Sequence, residues 1–189
     1  MKFKGKMLAA DIAECAIFVA LMCAAAFVQI PFPLVPLTFQ TVVAVLAGLL
    51  LGAKKGTISM AVYAFIGLSG LPVFSAGSGI YYVLKPSFGY ILGFILSAFV
   101  AGIIAGRAGL SLKRNLLAAL LAFLADYAIG IPYCIICAHL LGVENLVNLL
   151  IVGNLIYMPK DAALCVLAAI LARRVVPYIG ARVRRHAGK

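Results

Sequence analysis

The charged residues that could take part in chemistry are few, and four of them lie within or beside long apolar runs. Asp126 stands in the middle of one run, Lys160 and Asp161 open another, and Lys85 ends a glycine-rich segment. Charged groups near hydrocarbon are costly and usually functional, so these positions predict a site for a polar ligand. A structural alternative stays open. Lys160 and Asp161 could simply begin a helix, and Asp126 could hydrogen-bond to a neighbouring helix.

The sequence offers little to an enzyme. It has five acidic residues and two histidines, and it shows no nucleophile–base pair, phosphate-binding loop or metal-ligand cluster. Cys134 and Cys137 have the spacing of a zinc or redox pair, but no second ligand pair follows. The five cysteines are interpreted as small buried hydrophobes. We therefore expect a binding or transport protein without catalysis, metal or cofactor.

The composition places these groups in a membrane. Of the 189 residues, 66% are hydrophobic and 11% are charged, and the mean hydropathy is +1.17. A soluble domain carries about 25% charged residues. Uncharged runs at 15–53, 56–84 and 86–106 each exceed the length of about 20 residues that crosses a bilayer. This pattern excludes a soluble enzyme, a disordered regulator and a nucleic-acid binder.

The apolar runs and the turns between them predict one all-α integral membrane domain over residues 1–189. We expect Gly130 and Pro132 to interrupt the fifth helix, and 144–157 to be a surface segment or short cap. The first helix is interpreted as retained rather than as a signal peptide, because acidic residues interrupt its early part. The six transmembrane helices are expected at approximately 9–29, 38–53, 56–69, 87–106, 115–141 and 159–176.

The basic residues support this number of helices. With six helices, fourteen of the sixteen lysines and arginines fall on one side of the membrane, and only Lys85 and Lys160 do not. Basic loops are retained in the cytoplasm. The formal charge of +11 therefore reports orientation, and both the N and C termini are expected in the cytoplasm.

Small residues predict close packing at two places. Gly89 with Gly93, and Gly102 with Gly106, form small-xxx-small motifs that indicate close helix approach.

A stripe of alanines follows one face of the first helix, within an arc of about 80°. It could pack on a neighbouring helix of the same chain or on a second protein. Its members are Ala9, Ala13, Ala16, Ala20 and Ala24.

The segment 70–86 has no apolar period and is rich in glycine, proline and aromatic residues. Irregular backbone near membrane depth is tolerated where protein covers it or where it lines a cavity. The glycines indicate close approach of the backbone to a helix or to a ligand. The aromatic side chains, Phe74 and Tyr82 among them, could face a ligand or form an interfacial belt.

Four short motifs follow one another over residues 9–176: Val35-Pro36-Leu37-Thr38-Phe39-Gln40-Thr41, Gly70-Leu71-Pro72-Val73-Phe74, Pro86-Ser87-Phe88-Gly89-Tyr90-Ile91-Leu92-Gly93-Phe94 and Pro159-Lys160-Asp161. Together they resemble BioY, the biotin-specific S-component of energy-coupling factor (ECF) transporters. The resemblance implies a six-helix, S-component-like bundle in a prokaryotic plasma membrane. It also implies high-affinity capture of biotin on the outer side, and delivery through a transmembrane coupling subunit and two ATPase subunits.

The resemblance also implies site residues. Asp161 matches the family's polar ligand contact and would accept hydrogen bonds from the ureido N–H groups of biotin. The family pattern has glycine before this acid and lysine three positions after it, where this chain has Lys160 and Leu164. Whether Lys160 or Lys85 meets the ligand carboxylate is left open. Ala16 and Ala20 match the family's docking surface for the coupling subunit. Further ligand-binding residues are expected to be Tyr82, Tyr90, Phe74, Ser78, Gly89 and Gln40.

Rival interpretations remain. The nearest is an S-component for a different vitamin. A small membrane enzyme, such as a lipid-modifying transferase, belongs to a different class, and so does a helix-packing subunit with no ligand. Besides biotin and the ECF subunits, membrane lipid is the expected partner, and nucleic acid is not.

Overall fold

The computed structural model describes residues 9–30, 35–106, 111–143, 145 and 157–187, with side chains as far as residue 175. Two short antiparallel strands, β1 (Gln29–Ile30) and β2 (Leu37–Thr38), follow the first helix, and a 3-10 helix covers Ile80–Leu84. Most of the predicted segment 144–157 lies outside the described residues. The helices within the described parts are α1 (Ala9–Phe27), α2 (Gln40–Leu68), α3 (Phe88–Ala105), α4 (Leu112–Leu140) and α5 (Met158–Ala187).

Helices α1 to α4 are long and apolar enough to cross a membrane. The prediction of a mostly helical, multi-pass membrane protein is therefore confirmed. α5 is not among the helices that meet this standard within the described residues.

Helix α2 reverses direction at Gly52. This residue has φ 78° and ψ 172°, which is outside the helical region and is readily adopted only by glycine. The Gln40 amide nitrogen lies 2.7 Å from the Tyr63 hydroxyl, whereas 23 residues of straight helix would separate them by about 34 Å. The two arms, 40–51 and 53–68, therefore run antiparallel, and they coincide closely with the predicted helices 38–53 and 56–69.

The predicted interruption of the fifth helix was wrong, and the sixth helix extends beyond its predicted membrane-spanning part. α4 continues through Gly130 and Pro132 without interruption. Gly130 serves close packing instead, because a β-carbon there would overlap the ring of Tyr90. α5 continues to Ala187, beyond the predicted limit at 176. The end of an apolar run marks where the hydrocarbon ends, and a helix can extend past it into water.

The core forms where α2 packs on α1, α3 and α5, and where α4 packs on α3 and α5. The predicted close approaches at Gly89, Gly93 and Gly102 are confirmed. A β-carbon at these positions would overlap Tyr133, Asp126 and the backbone of Ala53, respectively. Such contacts are the main source of helix association where lipid removes the hydrophobic driving force.

The alanine stripe of α1 faces outward. Ala9, Ala13, Ala16, Ala20 and Ala24 are all exposed, while Phe18 and Met22 on the other face are buried. The stripe therefore does not pack on the described helices of its own chain.

One lysine fixes the buried face of α1 against α2. The Lys55 ammonium lies 3.0 Å from the Asp11 carboxylate and 2.5 Å from that of Glu14. Both acids belong to the first turns of α1, so the ion pairs hold this end of the helix in place.

We predict that Gly102→Leu destabilises the bundle, whereas Ile103→Leu does not. The new side chain at 102 would overlap the Ala53 backbone. Overpacking of this kind typically costs about 1–3 kcal/mol of stability. Ile103 is an exposed neighbour on the same helix and serves as the matched control. Thermal midpoints in detergent measure the difference, and equal midpoints would contradict close packing at Gly102.

Candidate ligand-binding site

A cavity of about 40 Å³, partly open to solvent, lies where β2 meets the ends of both α2 arms and the starts of α3 and α5. The wall combines aromatic rings with a few polar groups. It is lined by Val35, Pro36, Leu37, Thr38, Gln40, Thr41, Tyr63, Ser75, Tyr82, Ser87, Tyr90, Ile91, Phe94, Tyr127, Tyr157, Lys160 and Asp161.

Asp161 is the buried acid of this wall, and two partners hold its carboxylate. The Tyr127 hydroxyl of α4 donates to one oxygen at 2.7 Å, and the Lys160 ammonium lies 2.7 Å from the other. Lys160 also donates to the Thr38 carbonyl of β2 at 2.5 Å. The charge of Asp161 is thus balanced locally, as burial requires. The pair offers an anionic acceptor and a cationic donor side by side.

Aromatic rings form the apolar part of the wall. Tyr90 and Tyr127 meet edge to face with centroids 5.6 Å apart, and Tyr82 is almost fully buried. Tyr157 precedes α5, and burial raises the pKa of its phenol to about 12. It therefore remains a neutral hydrogen-bond donor at physiological pH. These rings suit a ligand with an apolar body and polar ends.

Three side chains hold the loop that forms one edge of the cavity, and each binds a different backbone carbonyl. The Tyr63 hydroxyl donates to Val73 at 3.1 Å, and the Gln29 amide donates to Ser75 at 2.9 Å. The Lys85 ammonium donates to Ala76. We call residues 73–76 the tethered loop.

Five of the predicted ligand-binding residues line the cavity. They are Asp161, Lys160, Tyr82, Tyr90 and Gln40.

The other four predicted residues lie elsewhere. Phe74 is one layer behind the wall, 4.6 Å from the Tyr82 ring. Lys85 is exposed, and its ammonium lies 5.2 Å from the centroid of the Tyr82 ring. Ser78 donates to the Gly70 carbonyl at 3.0 Å, and Gly89 packs against Tyr133. These four residues support the wall or the loop beside it.

The sequence model of the BioY family matches residues 1–181. The chain belongs to the BioY family. A "probable biotin transporter BioY" from Lysinibacillus sphaericus is 40% identical over 163 residues, which is 85% of this chain and 83% of the relative. A protein of the same description from Pyrococcus horikoshii is 35% identical, and the match covers 89% of this chain and 98% of that relative.

A solved structure has the same fold. It is described as the S-component for biotin from an ECF-type ABC transporter, and it superposes with a TM-score of 0.69 at 25% identity. The match covers 90% of this chain and 94% of that protein. The predicted family is therefore confirmed.

Several cavity residues of this BioY family member were not predicted. Thr41 and Ser87 stand inside the motifs that carry the resemblance, so the signal was present. Tyr63, Tyr127 and Tyr157 lie in apolar stretches where nothing in the sequence separates a cavity tyrosine from a packed one.

Asp126 lies behind the wall rather than in it. It is fully buried, and the Thr41 hydroxyl donates to one of its oxygens at 3.3 Å. Its carboxyl also fills the space that a side chain at Gly93 would need. Asp126 therefore ties α4 to α2 and to α3 beneath the cavity, in agreement with the structural interpretation.

Proposed function

We propose that this chain is the biotin-binding S-component of an ECF-type vitamin importer, which captures biotin on the outer side of the plasma membrane. The observation that carries the proposal is the cavity with the Asp161–Lys160 pair, in a member of a family whose matched relatives are described as biotin transporters. The protein acts by binding and delivery rather than by catalysis.

The chemistry of the cavity suits biotin. Its ureido ring presents two N–H donors, and an ionised Asp161 is a strong acceptor for them in a dry site. The thiophane ring and valeryl chain are apolar and would contact Tyr82 and Tyr90. Tyr127 holds the Asp161 carboxylate in place, so this acceptor is oriented before the ligand binds.

Of the two candidate lysines, we assign Lys160 to the ligand carboxylate. Its ammonium has three donors, one of which goes to the Thr38 carbonyl, and it also forms the ion pair with Asp161. A remaining donor can meet the ligand. Lys85 is committed to the tethered loop and does not line the cavity. Lys160 would thus supply, from the position before the acid, the charge that the family pattern places at 164.

The assignment predicts that Lys160→Met removes the preference of the protein for biotin over its neutral amide, biotinamide. A charged hydrogen bond contributes about 1.5–3 kcal/mol, so the dissociation constant for biotin should rise at least about 10-fold. Biotinamide binding should change much less. Titration of purified protein with both ligands measures the ratio.

Lys85→Met is the matched control and should leave the ratio unchanged. The reverse result would transfer the role to Lys85. If the parent protein bound neither ligand, the proposed function itself would be wrong.

We further propose six transmembrane segments with both termini in the cytoplasm. The support is that α2 contributes two antiparallel arms, which with α1, α3, α4 and α5 make six. The asymmetry of basic residues then gives the orientation. The cavity and the tethered loop would face outward.

This topology predicts that an impermeant maleimide labels Ala76→Cys but not Ser111→Cys in intact cells. Both positions are exposed, and they lie at opposite ends of α3. Permeabilised cells should label both variants, and the parent protein gives the background from the native cysteines. If the reagent labelled only Ser111→Cys in intact cells, the chain would have the opposite orientation in the membrane.

The alanine stripe of α1 is our candidate for the docking surface of the coupling subunit, through Ala16 and Ala20. Its support is that the stripe is exposed and flat, since small residues allow close approach of another helix within lipid. Two ATPase subunits would complete the importer.

We expect Ala20→Trp to bind biotin normally but to lose co-purification with the coupling subunit and to lose uptake. The indole would hold the partner helix away, while the cavity is built from other elements. Ala61→Trp, at an exposed alanine of α2, controls for the bulk of the new side chain. Intact co-purification of Ala20→Trp, or loss of biotin binding in that variant, would argue against this docking surface.

A further inference from the structure

Gln40 and Tyr63 meet across the reversal of α2, and both line the cavity. Their residues are 4% and 0% exposed. The Gln40 amide nitrogen lies 2.7 Å from the Tyr63 hydroxyl, which lies 3.1 Å from the Val73 carbonyl oxygen. A glutamine on α2 is thus connected through one hydroxyl to the tethered loop.

The direction of these two hydrogen bonds is determined by the last acceptor. A backbone carbonyl can only accept, so the single proton of the Tyr63 hydroxyl is directed to Val73. The Tyr63 oxygen must then accept from Gln40, which requires the amide nitrogen of Gln40 to face Tyr63. The opposite amide orientation would set two acceptor oxygens against each other.

We infer that Tyr63 is a positioning residue that fixes the Gln40 amide so that its carbonyl oxygen is presented to the ligand as an acceptor for an N–H group. The inference rests on the proposed function, because it gives the second N–H of the cyclic urea a partner. Asp161 from α5 accepts one donor and Gln40 from α2 accepts the other.

The orientation of the amide decides whether Gln40 helps or hinders. With the carbonyl oxygen toward the cavity, a ligand donor gains a partner. With the amide reversed, the NH₂ group would face that donor, and a buried donor without an acceptor costs more than a hydrogen bond gains. A site built this way discriminates against rings that lack the N–H group.

The test is a double-mutant cycle on the dissociation constant for biotin, with Tyr63→Phe, Gln40→Met and the double variant. Loss of one neutral hydrogen bond should raise the dissociation constant about 3- to 10-fold in each single variant. The double variant should lose less affinity than the product of the two single losses, because Tyr63 acts through Gln40 as well as on the tethered loop. The inference would be overturned if the two losses of affinity multiplied in the double variant, or if Tyr63→Phe bound biotin as tightly as the parent protein.

Tyr133→Phe is the matched control. The Tyr133 hydroxyl also donates to a backbone carbonyl, that of Val83 at 2.5 Å, but Tyr133 does not line the cavity. Its loss should lower the thermal midpoint of the ligand-free protein about as much as Tyr63→Phe does, yet leave biotin binding unchanged. Equal losses of affinity in the two variants would reduce Tyr63 to a structural role.

A second measurement covers the case in which Tyr63→Phe folds poorly. The two N-methyl derivatives of biotin each lack one ureido donor, and for one of them Gln40→Met should have no effect. Equal effects of Gln40→Met on biotin and both derivatives would overturn the inference. If the parent protein binds no biotin, the proposed function fails first, and that outcome is distinct from these.

Discussion

The buried carboxylate of Asp161 is the constraint on which the cavity depends. An ionised group inside an apolar bundle is tolerated only with opposite charge and hydrogen bonds close by. Its two partners are Tyr127 on α4 and Lys160 on α5, and Lys160 in turn donates to the Thr38 carbonyl on β2. Meeting the needs of one carboxylate therefore brings three elements together, and the space between them is the cavity.

Close packing elsewhere makes this polar centre possible. α3 lies against α2 and α4 through glycines that leave no room for a side chain. Asp126 and Thr41 add a buried polar contact beneath the cavity. The bundle is thus held by backbone approach and a few directed bonds, which suits a protein whose surroundings are as apolar as its own leucines.

Apolar runs and glycine signals were enough to predict the helices, including both arms of α2, because length and turn chemistry are local properties. They were not enough at Pro132, where packing in the folded bundle outweighs a lost backbone hydrogen bond. Within the site, Asp161 and Lys160 were predicted because they are charged groups beside an apolar run, and Gln40 was predicted from the family resemblance. Tyr63 and Phe74 show the limit. Both are aromatic and buried, and only the three-dimensional arrangement decides that the first lines the cavity and the second lies behind it.

The tethered loop has a kinetic consequence. Three side chains from separate parts of the chain bind three carbonyls within four residues, so this edge of the cavity opens only when those bonds break together. Affinity differences between related sites lie mainly in how long the ligand stays bound, so an edge held in this way would act on ligand release more than on ligand entry.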